Sequence, residues 1–347
     1  MPTIKDVSRK AGVSRSTVSR LIAGTGYVSD AARVAVEQAI EELGYRPNTL
    51  ARGLRSNRSN MIGAVVVDVA SPFYAQMVGG MQKGARAGGR SVLVSSGYAD
   101  RDEEAHAVIE LLDRACDGLI LYLENPMRDD VVRLIDKSKT PIVTIGGDES
   151  PVATAKIRID NYGGARAAMR LLLERGHRRI AYLSGGLKYR DTHERLRGIA
   201  AALSEAGLGL DDITVVHGDF AESFGYQATV SLLGGHKTYT AIMAGDDDIA
   251  AGALAALKAA GKRVPDDLSL VGFDDNFHAR HLTPALTTVR QPVDDVGYAA
   301  AALLNDILAG RDPGQREIMT DTELIVRDSV GRPARTGSRE EAGEVVP

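Results

Sequence analysis

The sequence predicts an α/β protein: an N-terminal helix-turn-helix head followed by a two-lobed body of parallel sheets. Three observations carry this expectation. Residues 1–22 (MPTIKDVSRKAGVSRSTVSRLI) hold two short helical periodicities joined across a glycine. From Met61 onward, short apolar strands alternate with amphipathic helices, the pattern of parallel sheets covered on both faces. Nine strand candidates over the rest of the chain exceed one comfortable sheet, so two lobes are expected.

In the head, Thr3 is placed to cap the first helix, with Asp6 three residues on, as in a capping box. Ile4, Val7 and Ala11 then share one face. Gly12 supplies the turn and Ser14 caps the second helix. On that helix, 100° per residue sets Val18, Leu21 and Ile22 against Arg15, Ser16, Ser19 and Arg20. One apolar face and one face of hydroxyls and guanidiniums suit a helix lying in the DNA major groove. The plainer alternative is an ordinary helical hairpin. A third helix starts at Ser29, carries Val36, Ile40 and Leu43 on one face, and stops at Gly44.

Residues 46–60 (RPNTLARGLRSNRSN) bury little. Pro47 can open a short helix, with Leu50 and Leu54 on one face beside Arg52 and Arg55. A helix this short is unstable alone, and Gly53 costs it about 1 kcal/mol more than alanine. The segment is expected to order only against DNA and a partner chain.

In the body, strands are expected at 61–67, 91–96, 118–123, 141–145, 179–184, 213–218, 240–245, 268–273 and 286–289. Helices are expected at 73–87, 102–114, 162–174, 194–206, 223–234, 247–260 and 293–309. The break between lobes is placed near IRIDNYGGAR, 157–166. The domains then read 1–45 (head), 46–60 (hinge and linker), 61–330 (body) and 331–347, a tail without a periodic apolar face that is expected to be disordered.

Composition narrows the function. With 44% apolar and 25% charged residues the chain reads as soluble and globular. No apolar run approaches the ~20 residues of a membrane span, and no apolar signal segment opens the chain, so a cytoplasmic location is expected. The single cysteine, Cys116, reads as a small buried side chain. Residues 1–60 hold ten basic and five acidic side chains, a surplus of +5. The whole chain is −4, so residues 61–347 carry −9. A basic head on an acidic body suits a module that meets phosphates. An enzyme would need a phosphate loop, a metal set or a nucleophile with its base, and no such pattern is found. The histidines lack metal spacing, and His278 and His281 read as surface or hydrogen-bonding groups.

TIKDVSRKAGVSRSTVSRLI followed by GYRPNTLARGLRS resembles the lactose-repressor (LacI/GalR) family. The likeness continues in order through SPFYAQMVGGM, DGLIL, IDNYGGARAA, ERGHRRIAYLSG, ERLRGI, GDDDIAAGAL, VPDDLSLVGFDD and PALTTVRQP. The resemblance implies a helix-turn-helix head, a hinge helix and a body like the type I periplasmic binding proteins, whose two lobes enclose a ligand cleft. With three crossings, the N-lobe would be 61–160 plus 291–318 and the C-lobe 161–290 plus 319–330. It also implies a homodimer on palindromic double-stranded operator DNA, usually repressing, and no membrane role. The tail has only Val345 and Val346 as large apolar residues, so no leucine heptad for tetramers is present. A sugar receptor without DNA function is the main alternative.

On DNA the resemblance assigns Arg15, Ser16 and Arg20 to bases and Thr17, Ser19 and Asn48 to phosphates, with Thr3 and Ser14 at the helix starts. Leu54 matches a hinge leucine that wedges into the minor groove. In the cleft it assigns Arg195 and Asp274 to the ligand, Phe73 and Phe220 to aromatic walls, and Asp246 to a position where many sugar-responsive members have Asn. Tyr74, Lys188, Tyr189 and Arg190 are candidates for effector specificity. The effector is expected to be a sugar, sugar acid or sugar phosphate, with Lys188 and Arg190 able to admit an anion, and no other cofactor. Gly146 stands where some members place a contacting Asp. Asp148, Asp246 and Asp247 read equally well as caps or salt-bridge partners.

Overall fold

The computed structural model describes residues 2–46, 58–146 and 151–333. Asn48, Leu54 and the rest of the expected hinge lie outside the described residues, as do Asp148 and the chain beyond 333. The chain divides into two compact units after Ser59.

The head has three helices, α1 (Ile4–Ala11), α2 (Arg15–Ala23) and α3 (Asp30–Leu43). The Asp6 carboxylate accepts both the Thr3 N–H (2.9 Å) and the Thr3 hydroxyl (2.7 Å) at the start of α1. Gly12 turns the chain at φ +64°, a conformation that glycine adopts without steric cost. Ser14 Oγ accepts from Thr17 N at 3.1 Å and so caps α2. Val7, Val18 and Val36 are fully buried, one from each helix, with Ala39 beside them. Ile4, Ala11, Leu21, Ile22, Ile40 and Leu43 pack around that centre. A core this small makes the head a marginally stable unit.

The body holds two six-stranded sheets. The first has the order β11-β5-β4-β3-β1-β2 and every pairing in it is parallel. Its strands are β1 (Met61–Val66), β2 (Ser91–Ser96), β3 (Gly118–Leu121), β4 (Ile142–Ile145), β5 (Ala155–Ile159) and β11 (Glu317–Thr320). Helices α4 (Pro72–Ala87) and α11 (Val293–Leu308) pack on one face, and α5 (Arg101–Asp113) and α6 (Asp129–Ser138) on the other. The second sheet has the order β12-β10-β9-β8-β6-β7, parallel except for β12 against β10. Its strands are β6 (Ile180–Ser184), β7 (Thr214–His217), β8 (Ala241–Ala244), β9 (Ser269–Asp274), β10 (Thr287–Arg290) and β12 (Glu323–Ile325). Helices α7 (Asn161–Glu174) and α8 (Arg190–Glu205) cover one face, and α9 (Glu222–Gly234) and α10 (Asp247–Ala259) the other.

The chain passes between sheets three times, after β5, after β10 and after β11. β11 runs to Thr320, so the third passage lies at 321–322, later than the expected boundary at 318–319. β5 occupies 155–159 and α7 begins at Asn161, so the first passage is confined to Asp160 rather than spread over 157–166. After the second passage α11 returns to the first lobe and lies against α4. Gly80 and Gly297 allow that approach: a Cβ on Gly80 would run into the Asp294 carbonyl, and one on Gly297 into the Met77 carbonyl. Among the described residues no helix is long and apolar enough to cross a membrane.

Four elements were absent from the expected set: α6, β5, β11 and β12. β5 alternates buried Ala155, Ile157 and Ile159 with half-buried Lys156 and Arg158, which resembles a polar loop in sequence. β11 and β12 are short edge strands with few buried positions, and α6 has only ten residues. α8 begins four residues before the expected start, and this added turn carries Asp191.

Candidate functional site

In the head, α2 presents Arg15, Ser16 and Arg20 as exposed side chains, with Thr17 and Ser19 half-buried. On α1 two of the three basic residues are committed: Arg9 lies 3.6 Å from Asp6 and Lys10 2.5 Å from Glu42, while Lys5 makes no ion pair among the described residues. Arg15 and Arg20 make no ion pair among the described residues. Both guanidiniums therefore keep their donors for an acceptor outside the chain, such as a phosphate or a guanine edge. The Ser14 hydroxyl lies 2.7 Å from Ser16 Oγ and 2.9 Å from Thr17 Oγ1, so Ser14 acts first as the organiser of the helix start. Thr3 likewise serves the start of α1. Tyr27, just beyond α2, is 87% exposed and was not anticipated from sequence.

In the body, the carboxyl ends of the strands and the first turns of the helices enclose a cavity of about 60 Å³ between the lobes. Open α/β sheets place ligand sites at such strand ends. The first lobe contributes Phe73 and Tyr74 from the start of α4, and Glu124 from the segment after β3. The second contributes Tyr189, Asp191 and Arg195 from α8 and its cap, Phe220 from just before α9, Asp246 and Asp248 from the start of α10, and Asp274 and Asn276 from the end of β9 and the loop after it. The volume is far below the ~300–1,000 Å³ of ordinary ligand pockets, so admitting a hexose requires the lobes to part. Hydrogen bonds hold them together, among them a long one of 3.4 Å from Arg190 Nε to the Glu124 carbonyl. Tyr122 Oη donates to Asp191 Oδ2 at 2.8 Å, and Arg190 N donates to Glu124 Oε2 at 2.9 Å.

Arg195 is the centre of the site. It is 4% exposed and lies 3.9 Å from the Phe273 ring centroid. Its Nε donates to Asn161 Oδ1 at 2.8 Å and its Nη1 to the Gly245 carbonyl at 2.5 Å. Its Nη2 lies 3.7 Å from Asp274 Oδ1 and 3.9 Å from Asp191 Oδ2. Burial alone would lower its pKa, but the surrounding carboxylates, Asp274 first, outweigh this and raise it.

The acids respond in the opposite sense to an ordinary ion pair. Burial pushes Asp274 up to about 7 even though Arg195 and the Gln291 amide pull it down. Burial, reinforced by Asp191, pushes Glu124 up to about 8. Burial and then Asp274 hold Asp246 well above the usual carboxylate range. One arginine cannot balance this many acids in a dry cavity. Asp274 also sits at φ +110°, a strained backbone that aims the strand end at the cleft.

The expected cleft residues Phe73, Tyr74, Tyr189, Arg195, Phe220, Asp246 and Asp274 are thus brought together. Lys188 is not: its side chain is half-exposed, 4.0 Å from Asp219. Arg190 lines a neighbouring cavity of about 460 Å³ that shares Asp191, together with Gly146, Arg158 and Arg197. Neither cation lines the acid cavity: Lys188 lies behind it, its ammonium 5.0 Å over the Tyr189 ring, and Arg190, the first residue of α8, reaches the Glu124 carbonyl from outside at 3.4 Å. Asp247 is fully buried and accepts from Asn276 N (2.8 Å) and Thr288 Oγ1 (2.6 Å), so it braces the β9 loop rather than facing a ligand. Asp246 caps α10 through Ile249 N at 2.7 Å and lines the cavity as well. Glu124, Asp191, Asp248 and Asn276 were missed. Asp191 carried a readable signal, standing one helical turn before Arg195. Glu124 ends an apolar strand, a position where ligand-facing residues recur.

His278 and His281 are exposed and flank Phe277, and no group of metal-binding side chains is found among the described residues. Burial pushes the Cys116 thiol up to about 11, which makes it a poor nucleophile.

Comparison with known proteins places these features in one lineage. Residues 3–48 match the family of bacterial regulatory proteins called the lacI family, and residues 169–330 match a periplasmic binding protein-like domain. The HTH-type transcriptional regulator GalR of Escherichia coli (strain K12) is 36% identical over 338 residues, covering 97% of this chain and 98% of that protein. A crystal structure of the lac repressor dimer bound to operator and the anti-inducer ONPF has a TM-score of 0.85 at 28% identity, covering 95% of this chain and 99% of the other. A complex of the transcriptional regulator CelR with cellobiose has a TM-score of 0.70 at 35% identity, covering 95% of this chain and all of the other. These relatives are transcription regulators rather than enzymes. The chain belongs to the lacI family of bacterial regulatory proteins, as a DNA-binding transcriptional regulator with a helix-turn-helix head and a periplasmic-binding-protein-like body.

Proposed function

We propose that the protein is a cytoplasmic repressor that binds a palindromic operator as a homodimer and is controlled by a sugar held between the lobes of its body. The observation that carries the DNA half is the pair of uncommitted guanidiniums, Arg15 and Arg20, on the exposed side of α2. Arg20 reads a guanine, Arg15 and Ser16 contact neighbouring bases, and Thr17, Ser19 and Asn48 hold phosphates. Leu54 wedges the central base step from the minor groove. The observation that supports the ligand half is the Arg195–Asp274 arrangement behind aromatic walls. An arginine bridges neighbouring oxygens, a carboxylate takes hydroxyls, and an aromatic face covers the C–H side of a ring. The acid surplus of the cavity, and the removal of Lys188 and Arg190 from it, speak against a sugar acid or sugar phosphate.

A ligand shifts the operator affinity only by binding two body states unequally. The test is operator binding with and without a sugar that shifts the melting temperature. Asp274→Ala is expected to keep operator binding and lose the sugar response. A variant that loses operator binding yet keeps a full response overturns the assignment. Leu54→Ala is expected to weaken specific binding and leave non-specific binding almost unchanged.

A further inference from the structure

We propose that the sugar in this cleft carries a cationic amine, held by Asp246 and its neighbouring carboxylates inside a box of aromatic rings. The inference rests on the reading of the cleft as the effector site and specifies the chemistry of its ligand.

The cavity wall holds five carboxyl groups, from Glu124, Asp191, Asp246, Asp248 and Asp274, and a single basic side chain, Arg195. Arg195 is already engaged. It donates to Asn161 and the Gly245 carbonyl, lies between Asp274 and Asp191, and stacks on Phe273. Its positive charge thus answers two of the five acids, and Arg190 meets Glu124 from outside the wall, which leaves Asp246 and Asp248 with no ion-pair partner among the described residues.

The carboxyls also have acceptor capacity to spare. Asp246 is 7% exposed and uses Oδ1 on the Ile249 N–H. Its Oδ2 has no protein partner among the described residues. Asp274 uses Oδ1 on the Gln291 amide at 2.6 Å, and its Oδ2 is likewise unpartnered. Glu124 uses Oε2 on Arg190 N. Each acid spends one oxygen on holding the structure and keeps the other at the wall of the cavity. Acceptors that face a cavity in such numbers take their donors from whatever fills it. Burial keeps Glu124 protonated at neutral pH, and a neutral sugar leaves it so. An ammonium group supplies three donors and a charge against which the carboxyls can ionise.

The aromatic walls suit the same group. Tyr74 lies edge-on to Phe73 with centroids 5.0 Å apart, and Tyr189 lies 5.0 Å from Phe220. One face of Tyr189 already carries the Lys188 ammonium at 5.0 Å and one face of Phe220 the Arg195 guanidinium at 5.6 Å, so Phe73 and Tyr74 are the rings without a cation of the protein's own and are left to attract an organic cation through their negative faces. A hexosamine combines the amine, the hydroxyls for Asp274 and Arg195, and the C–H face for the rings. Anionic sugars meet repulsion from the same wall.

The test uses the full-length protein and isothermal titration at neutral pH. The probes are D-glucosamine, D-galactosamine and D-mannosamine, each against its N-acetylated form and its parent hexose. At least one amine is expected to bind about tenfold or more tightly than both its neutral counterparts, the worth of one charge-assisted hydrogen bond. Asp246→Asn keeps an equally good helix cap and is expected to abolish that preference while retaining the neutral sugar. Neutral sugars that bind as tightly as their amines overturn the proposal, as does the absence of binding by all three amines. A preference that survives in Asp246→Asn removes Asp246 from the role. Operator binding by the same preparation separates these failures from failure of the regulator reading, since it does not depend on the ligand's charge.

Discussion

The Tyr122 hydroxyl reaches from the first lobe to Asp191 Oδ2 in the second at 2.8 Å, and the same carboxylate oxygen lies 3.9 Å from Arg195 Nη2. One bond therefore ties the closure of the lobes to the residue that organises the cleft. Ligand affinity and lobe closure share a carboxylate, which couples binding to a change of shape.

Tyr122→Phe removes that tie and little else. The lost hydrogen bond is worth about 1 kcal/mol, or about fivefold in the closed-to-open ratio. The expected result is a weaker apparent sugar affinity by that factor and a larger radius of gyration in solution scattering without sugar. An unchanged affinity with an unchanged radius would show that closure does not depend on this bond.

The cleft acids predict an unusual pH response. Glu124 stands at about 8 against an ordinary 4.5, and Asp274 at about 7 against 3.8. Their folded-state values are raised, so the folded protein holds protons that the unfolded chain has released. Their contribution to stability is thus lost as pH rises toward 8. His177 is lowered from 6.5 by burial, so it acts with the opposite sign but only up to about that pH. Melting curves from about pH 7 to about pH 8 isolate the carboxyls, and the melting temperature is expected to fall across that window and to level off above it. Glu124→Gln should flatten part of the fall. A melting temperature that rises with pH there would contradict the placement of these groups in a dry cavity.

Arg20→Ala is expected to cost about 1–3 kcal/mol of operator binding and to relax the choice of base at one position. Arg15→Ala should behave similarly at a neighbouring position. Arg9→Ala, whose side chain is already committed to Asp6, should have a smaller effect on base choice. Competition assays against single-base operator variants at fixed salt check this. Equal loss for every sequence would reassign Arg20 to a phosphate.

Gly80→Ala tests the contact between α4 and α11. Its Cβ would meet the Asp294 carbonyl, which belongs to backbone and cannot swing away. Overpacking of this kind costs about 1–3 kcal/mol. Calorimetry of the body is expected to show the loss, while the head, a separate unit ending at Ser59, keeps its DNA contacts. Wild-type stability in this variant would mean that the helices can separate freely.

Much of the molecule was written in local patterns. The head could be read from Thr3, Gly12 and Ser14 because caps and turns are local chemistry, and its core valines follow from helical period. The strong strands of the two sheets are apolar runs that any environment would bury. β5, β11 and β12 escaped because an edge or near-edge strand keeps half its side chains in water, and its alternation then resembles a loop. That Lys188 and Arg190 lie outside the wall of the acid cavity was not legible either: nearness in sequence to Arg195 says nothing of which way a side chain points.

The order of residues alone carried the helix-turn-helix, the alternation of strand and helix, and the pairing of Arg195 with Asp274 through motif. Period, cap and turn act over a few residues, so they survive in one dimension. The closeness of Glu124 to the second lobe, the surplus of acid around one arginine and the tie from Tyr122 to Asp191 arise from contacts between residues far apart in sequence, 66 positions for Glu124 and Arg190 and 69 for Tyr122 and Asp191. Such contacts depend on three passages of the chain between the sheets, and the raised acid pKa values depend on the water that this closure excludes.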